Sequence, residues 1–476
     1  MILSKYNRKA MKDSLSVAAM TSVFLQCLDP QCRAQYPVSE VRSECACGNL
    51  LDVRYEWPGF DAAAAKQTWA FRAMSRDPRD RSGVWRFREM IPFLPPDAGV
   101  ITLHEGNTPV LDAPRAADYA GLDFLAFKHQ GFNPTGSFKD SGMTTGVSQA
   151  AALGKSVVAC VSTGNTSASM AAYAACGGLR AVIFIPAGQI SSGKLAQALE
   201  YGALTIQVEA NFDVTWKLVV QLVEETGLYL LNSVNPFRVE GQKTIMIELM
   251  EQLGWEPPDW VVLPAGNLGN SAAFGKGLRE MQQLGLIARL PRLALIQAEG
   301  AAPLYRLLQR AAAEGKTPRE VGLEPVANPQ TLATAIRIGA PASWKKALRE
   351  LEATRGVCET VSEQEIADAK AVIGLCGIGC EPASAATLAG IRKLVARDVI
   401  GKADRVVAVL TGNLLKDPSY TLSYHEGTLA LPREGPFDMA QGKKPFVIEP
   451  RFGNRPIAVP PDLERIRRIL ARRPLP

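Results

Sequence analysis

The chain has 476 residues, 47% of them apolar and 21% charged, which is room for two or three domains with sizeable cores. Its net charge of +6 is spread along the chain, not gathered in blocks, which excludes the usual electrostatic footprint of a nucleic-acid binder. No apolar run reaches the roughly 18 residues of a membrane span, and nine cysteines, an odd number, point to a reducing, cytoplasmic setting.

At the start, Lys5, Arg8, Lys9 and Lys12 precede an apolar stretch at 15–25 that has no small-x-small cleavage site after it, so it reads as a first strand and not a signal peptide. It runs into Cys27-x4-Cys32 and Cys45-x-Cys47-Gly48, distorted versions of the paired C-x-x-C knuckles that hold zinc. The Pro-rich stretch 91–96 reads as a linker. From about Leu122 to Gly412, short β-rich runs alternate with helical stretches, the pattern of a parallel sheet covered by helices. The predicted strands are 124–127, 156–161, 180–185, 204–208, 260–263, 293–297 and 405–410. Predicted helices are 141–153, 167–175, 193–201, 239–253, 271–284 and 381–396. A Pro- and Gly-rich stretch then runs to about Pro461, and a last amphipathic helix from Asp462 carries Arg465, Arg467, Arg468, Arg472 and Arg473 as a solvated face.

Such a sheet presents its ligand at the C-terminal ends of the strands. The first of those loops reads Asn133-Pro134-Thr135-Gly136-Ser137-Phe138-Lys139-Asp140. A lysine where a helix begins meets the positive end of the dipole. As an ammonium it is an ordinary solvated helix-start residue; as a Schiff base with an aldehyde cofactor it escapes the conflict and leaves the loop's N–H groups to an anion. The run Ser162-Thr163-Gly164-Asn165-Thr166-Ser167 suits either a helix N-cap or a grip on a carboxylate. In Ala265-Gly266-Asn267-Leu268-Gly269-Asn270-Ser271 the glycines admit a phosphate close to the backbone, at a spacing unlike the dinucleotide fingerprint. The last strand delivers Thr411-Gly412-Asn413. A lysine, a carboxylate grip, a phosphate cradle and a hydroxyl at four strand ends describe a site for pyridoxal 5'-phosphate (PLP) and an amino acid. The three histidines are too scattered for a metal site, and His129 reads as a hydrogen-bonded strand-end residue.

From about Gln26 to Leu470 the chain resembles the threonine synthase family. The likeness rests on the lysine loop, on the runs 104–109 (HEGNTP), 232–244 (NSVNPFRVEGQKT) and 331–339 (TLATAIRIG), and on Glu381-Pro382-Ala383-Ser384-Ala385-Ala386. It implies an α/β, fold-type II PLP enzyme with two three-layer α/β domains: a large PLP domain at 101–145 and 240–430, and a small one at 146–239. A cysteine-containing extension at 1–100, zinc-ribbon-like at about 24–55, and a C-terminal extension with a helix at 431–476 complete it. The implied reaction converts O-phospho-L-homoserine and water into L-threonine and phosphate, with Lys139 carrying the cofactor and acting as base.

By the same resemblance Phe138 packs beside the ring, Asn165 meets its phenolic oxygen, and Gly266, Asn267, Leu268, Gly269 and Asn270 surround its phosphate. Thr411 faces the pyridine nitrogen. Ser162, Thr163, Asn165 and Thr166 receive the substrate carboxylate, and Ser137, Arg238 and Lys243 are candidates for the substrate phosphate. Cys27, Cys32, Cys45 and Cys47 are candidate ligands of a structural zinc, and a homodimer is implied. His129-Gln130 stands where an acidic pair is commoner, Ser141-Gly142 follows Lys139-Asp140 where Arg-Gly is commoner, and Asn413 replaces a usual histidine. The Lys128-His129 pair and Gly142-Met143-Thr144 resemble the plant-type branch. The alternatives are a related fold-type II enzyme, cysteate synthase or serine/threonine dehydratase, and a catalytically silent protein of the same fold.

Overall fold

The computed structural model describes residues 22–162, 164–186, 192–210, 212–431 and 445–472. Its contacts group the chain into two compact units, divided after Pro418. The first begins with an antiparallel sheet of β1 (Ser22–Cys27), β2 (Gln35–Pro37) and β3 (Leu51–Glu56), ordered β2-β1-β3. Leu25 of β1 lies opposite Val53 of β3, and both are buried. The stretch expected as a linker joins this core: Ile91, Phe93 and Leu94 are buried, and Phe93 lies 5.1 Å from Phe237 between ring centroids. Its prolines lack N–H groups, so burying the segment leaves few backbone donors to satisfy.

The chain continues through α1 (Ala62–Arg72), β4 (Val110–Asp112), α2 (Pro114–Ala120), β5 (Leu125–His129) and α3 (Lys139–Ala152). Next come β6 (Val157–Val161), α4 (Asn165–Cys176), β7 (Arg180–Pro186), α5 (Ser192–Glu200), β8 (Leu204–Val208), α6 (Phe212–Thr226) and β9 (Tyr229–Leu230). Then follow α7 (Pro236–Gln252), β10 (Trp260–Pro264), α8 (Gly269–Gln283), β11 (Arg292–Ala298) and α9 (Pro303–Glu314). The unit closes with α10 (Trp344–Thr354), β12 (Val357–Val361), α11 (Glu363–Leu375), α12 (Pro382–Ala396) and β13 (Val406–Leu410).

Two sheets result. The larger has the order β12-β11-β10-β13-β5-β4 and is parallel except for its edge strand β4; the smaller, β8-β7-β6-β9, is parallel throughout. Strands such as β10 and β13 are buried along their whole length, as expected where helices cover both faces. All seven predicted strands are present, with ends shifted by at most two residues. The second unit has a helix, α13 (Pro418–Glu426), entering it, a short antiparallel pair of β14 (Ala430–Leu431) and β15 (Phe446–Val447), and α14 (Leu463–Arg472). Arg473 and the N-terminal residues before Ser22 lie outside the described residues.

Candidate active site

The lysine loop is fastened at both ends. Asp140 accepts hydrogen bonds from Thr135 N at 2.7 Å, Thr135 Oγ1 at 2.6 Å and Ser169 Oγ at 2.5 Å, and burial pushes its carboxyl up to about 6. The other side is stitched to the end of β13, where Phe138 N donates to Thr411 O at 3.0 Å and Asn413 N to Gly136 O at 2.9 Å. Gly136 has φ +81°, and a Cβ there would lie 3.1 Å from Lys416 Cε, so both backbone and space call for glycine. Asn413 closes the facing turn, donating to Gly131 O and accepting from Leu415 N.

Lys139 is thereby the first residue of α3, with its Nζ 4.0 Å from the centroid of the Phe138 ring. Burial first, and then the nearby charge of Arg238, lower its pKa to about 7 against the pull of Glu381. A neutral amine is the form that condenses with an aldehyde. Gln242 lies between this helix and the glycine loop: a Cβ on Gly142 would sit 2.8 Å from its Nε2, and one on Gly269 3.9 Å from its Oε1. One side chain therefore bridges the lysine helix and residues 266–270.

In that loop Leu268 takes a left-handed φ of +64°, and α8 starts at Gly269 without a side-chain cap, leaving N–H groups for an anion. A Cβ on Gly266 would come within 3.0 Å of Ala335 O. The two asparagines shape the loop instead of pointing into it. Asn267 donates to Ser233 Oγ at 2.5 Å and accepts from Ala342 N at 2.7 Å, while Asn270 donates to Pro264 O and accepts from Ser271 N.

At the end of β6, Ser162 Oγ accepts from Gly164 N, and α4 opens at Asn165 behind Gly164, which can offer no side-chain cap. Thr166 follows in the first turn, half-buried; Thr163 lies outside the described residues. Asn165 Nδ2 donates to Glu381 Oε2 at 3.0 Å, and its Oδ1 is buried without a protein partner. Thr411 Oγ1 stands 3.2 Å from Glu381 Oε1 and 3.0 Å from Ser384 Oγ. Neither Glu381 nor Ser384 carries a sequence signal of its own as a site residue, although both stand in the run 381–386.

The three candidates for a substrate phosphate divide. Ser137 Oγ is buried and unpartnered; Arg238 spends Nη1 on Leu231 O at 2.9 Å while its buried Nε has no protein partner. Burial lowers the Arg238 pKa to about 10. Lys243 instead binds Glu240 and Glu280, each at 2.6 Å, beneath the Tyr55 ring. His129 is occupied as expected: Nδ1 accepts from Gly131 N, so Nε2 donates to Gly379 O at 2.7 Å. Ser137, Ser141, Asn165, Arg238 and Ser271 thus each keep a buried polar atom without a protein partner, which native proteins reserve for ligand or water. In the first sheet the Sγ atoms of Cys27, Cys32, Cys45 and Cys47 all lie within 4.8 Å of one another.

Residues 101–412 match the family of pyridoxal-phosphate dependent enzymes. The chain is 41% identical over 397 residues to a threonine synthase of Methanocaldococcus jannaschii, covering 83% of this chain and 94% of that one. It is 43% identical over 404 residues to a threonine synthase of Methanosarcina acetivorans, covering 84% and 94%. The chain belongs to the threonine synthase family. An L-serine ammonia-lyase from Rhizomucor miehei shares the fold, with a TM-score of 0.57 at 20% identity over 70% of this chain and 100% of that one. The family match starts at residue 101, so the cysteine sheet lies ahead of it.

Proposed function

We infer that this chain converts O-phospho-L-homoserine and water into L-threonine and phosphate with PLP. The observation that carries the reading is Lys139: a buried amine with a pKa lowered to about 7, fastened between two strand ends and joined to a glycine loop through Gln242. The unpartnered buried atoms around it fit a polar cofactor and substrate. Bound to Lys139, PLP supplies an electron sink for charge that develops on the substrate carbons.

The rest is the work of the chain. The N–H groups at 266–269 and the start of α8 hold the cofactor phosphate, with Asn267 and Asn270 fixing the loop's shape. Asn165 meets the phenolic oxygen, Phe138 packs beside the ring, and Thr411 presents an uncharged hydroxyl to the ring nitrogen. Ser162, Thr163, Asn165 and Thr166 receive the α-carboxylate at the start of α4. Lys139 would hold the cofactor and, as a neutral amine, would be the base for the substrate's α-proton. Arg238 and Ser137 face the substrate phosphate, whereas Lys243 is left out because its charge is already matched by two glutamates.

The two sheets correspond in this reading to a large domain, 101–145 and 240–430, and a small domain, 146–239, of a cytoplasmic homodimer. A structural zinc at Cys27, Cys32, Cys45 and Cys47 completes it, since four thiols this close match a tetrahedral S4 set. Elemental analysis should find one zinc per chain, lost in Cys45→Ser together with thermal stability. The decisive assay measures phosphate release from O-phosphohomoserine beside O-phosphoserine, with threonine as the measured product. Threonine formed from the first alone supports the reading; turnover of serine or O-phosphoserine without phosphohomoserine turnover overturns it.

A further inference from the structure

Glu381 occupies the N-cap position of α12, where a side chain normally turns back onto the first helical N–H groups, yet it makes no such bond. Its carboxylate, 1% exposed, accepts instead from Asn165 Nδ2 at 3.0 Å through Oε2 and from Thr411 Oγ1 at 3.2 Å through Oε1. The backbone holds it there, since Glu381 N donates to Gly412 O at 3.0 Å. The site is shaped around it as well: a Cβ on Gly412 would fall 2.4 Å from Glu381 Cδ.

Two orientations follow from counting protons. An ionised carboxylate only accepts, so the Asn165 atom against it is the amide nitrogen, whose second hydrogen stays available to a ligand. Ser384 Oγ already accepts from Thr411 N at 2.8 Å and Gly412 N at 3.2 Å, so its own proton goes to Thr411 Oγ1. Thr411 must then donate in its turn, and Glu381 is the acceptor in place. One carboxylate thus accepts from both side chains and sets their orientation.

We propose that Glu381 is a positioning residue for the reaction: it holds the amide of Asn165 so that its second hydrogen faces one edge of the cofactor ring, and it takes the single proton of Thr411, so that the hydroxyl oxygen is fixed at the opposite edge. This rests on the roles given to Asn165 and Thr411 under Proposed function. The charged groups acting on the same space are Lys139, Lys416, Asp140 and Arg238, and the Glu381 charge favours the protonated form of both lysines. Glutamine in its place keeps the shape but has one acceptor oxygen for two donors and no charge.

The test uses purified holoenzyme and needs no substrate for its first readout. In Glu381→Gln the pH midpoint of the cofactor's visible absorbance falls by about one unit, and the PLP dissociation constant rises about tenfold. With O-phosphohomoserine, kcat falls more than KM changes. Gly412→Ala displaces the carboxylate without removing its charge; it weakens PLP binding similarly but moves the midpoint less. Glu381→Asp, charged but a methylene short, restores the midpoint and leaves kcat low. Wild-type midpoint and PLP affinity in Glu381→Gln overturn the proposal, as does wild-type PLP affinity in Gly412→Ala. Should wild-type enzyme show these spectra yet release no phosphate from O-phosphohomoserine, the substrate assignment falls while the role of Glu381 stands.

Discussion

One helix, α7, carries buried charge on two sides, and the two sides are resolved differently. On the first, Glu240 and Lys243 meet Lys276 and Glu280 of α8, and Tyr55 donates to Glu240 Oε2 at 2.8 Å. Burial works against the Lys243 charge, yet Glu240 and Glu280 together hold its pKa above the usual lysine value. On the second, Arg238 keeps an unused Nε, and Lys139 is pushed down to about 7 by burial and by Arg238. A buried lysine is therefore no sign of chemistry by itself. What separates the two is whether the chain supplies the countercharge or leaves it to a ligand.

The comparison breaks first at Lys139. Lys139→Ala should lose the covalently held cofactor and slow phosphate release by at least ~10²–10⁴-fold, read by absorbance after dialysis and by assay, with the unfolding transition preserved. Lys243→Met should do the reverse. Glu240 and Glu280 are then left to share Lys276 alone, one buried carboxylate short of a countercharge, and the unfolding free energy should fall by about 3–5 kcal/mol in urea denaturation. An unchanged stability with a raised KM for the phosphorylated substrate would return Lys243 to the site. Arg238→Lys keeps the charge but loses the planar fork, and KM for O-phosphohomoserine should rise about tenfold with stability little altered.

The mildest test is a pH profile. The apoenzyme's Lys139 is half-neutral near 7, so the rate of PLP reconstitution should climb through that pH and level off above it. A profile still climbing towards pH 10 would describe an ordinary lysine. The sign for stability follows: this lysine's pKa is lower folded than unfolded, so the folded apoprotein binds fewer protons between about 7 and the unfolded value. Its contribution to stability should rise with pH across that window.

The long central strands are legible because burial on both faces leaves runs such as 260–264 and 406–410 unbroken. The edges are harder to see. β12 reads VCETV, its Glu359 paired with Arg397 from beyond α12, and β4 and β9 are too short to show periodicity. In the site, the lysine and glycine loops are local motifs and could be found as such. Glu381 could not: ahead of Pro382 it looks like a helix start, and its meaning comes from Asn165 and Thr411, which only the two sheets bring to it. The commitment of Lys243 to Glu280 is hidden for the same reason, because α8 must fold back along α7 before the pair exists.

The backbone just ahead of α10 holds Asn267 in the glycine loop, through Ala342 N and Ser343 N. Farther along, the same stretch grips β3: Lys346 donates to Leu51 O at 2.6 Å, and Arg349 pairs with Asp52 at 2.6 Å. The helix acts as a splint between the thiol-bearing sheet and the glycine turn proposed to cradle PLP's anionic tail. Trimming the gene ahead of residue 57 to obtain a smaller catalyst would unmoor that splint, and slackened cofactor retention is where the loss would first be felt.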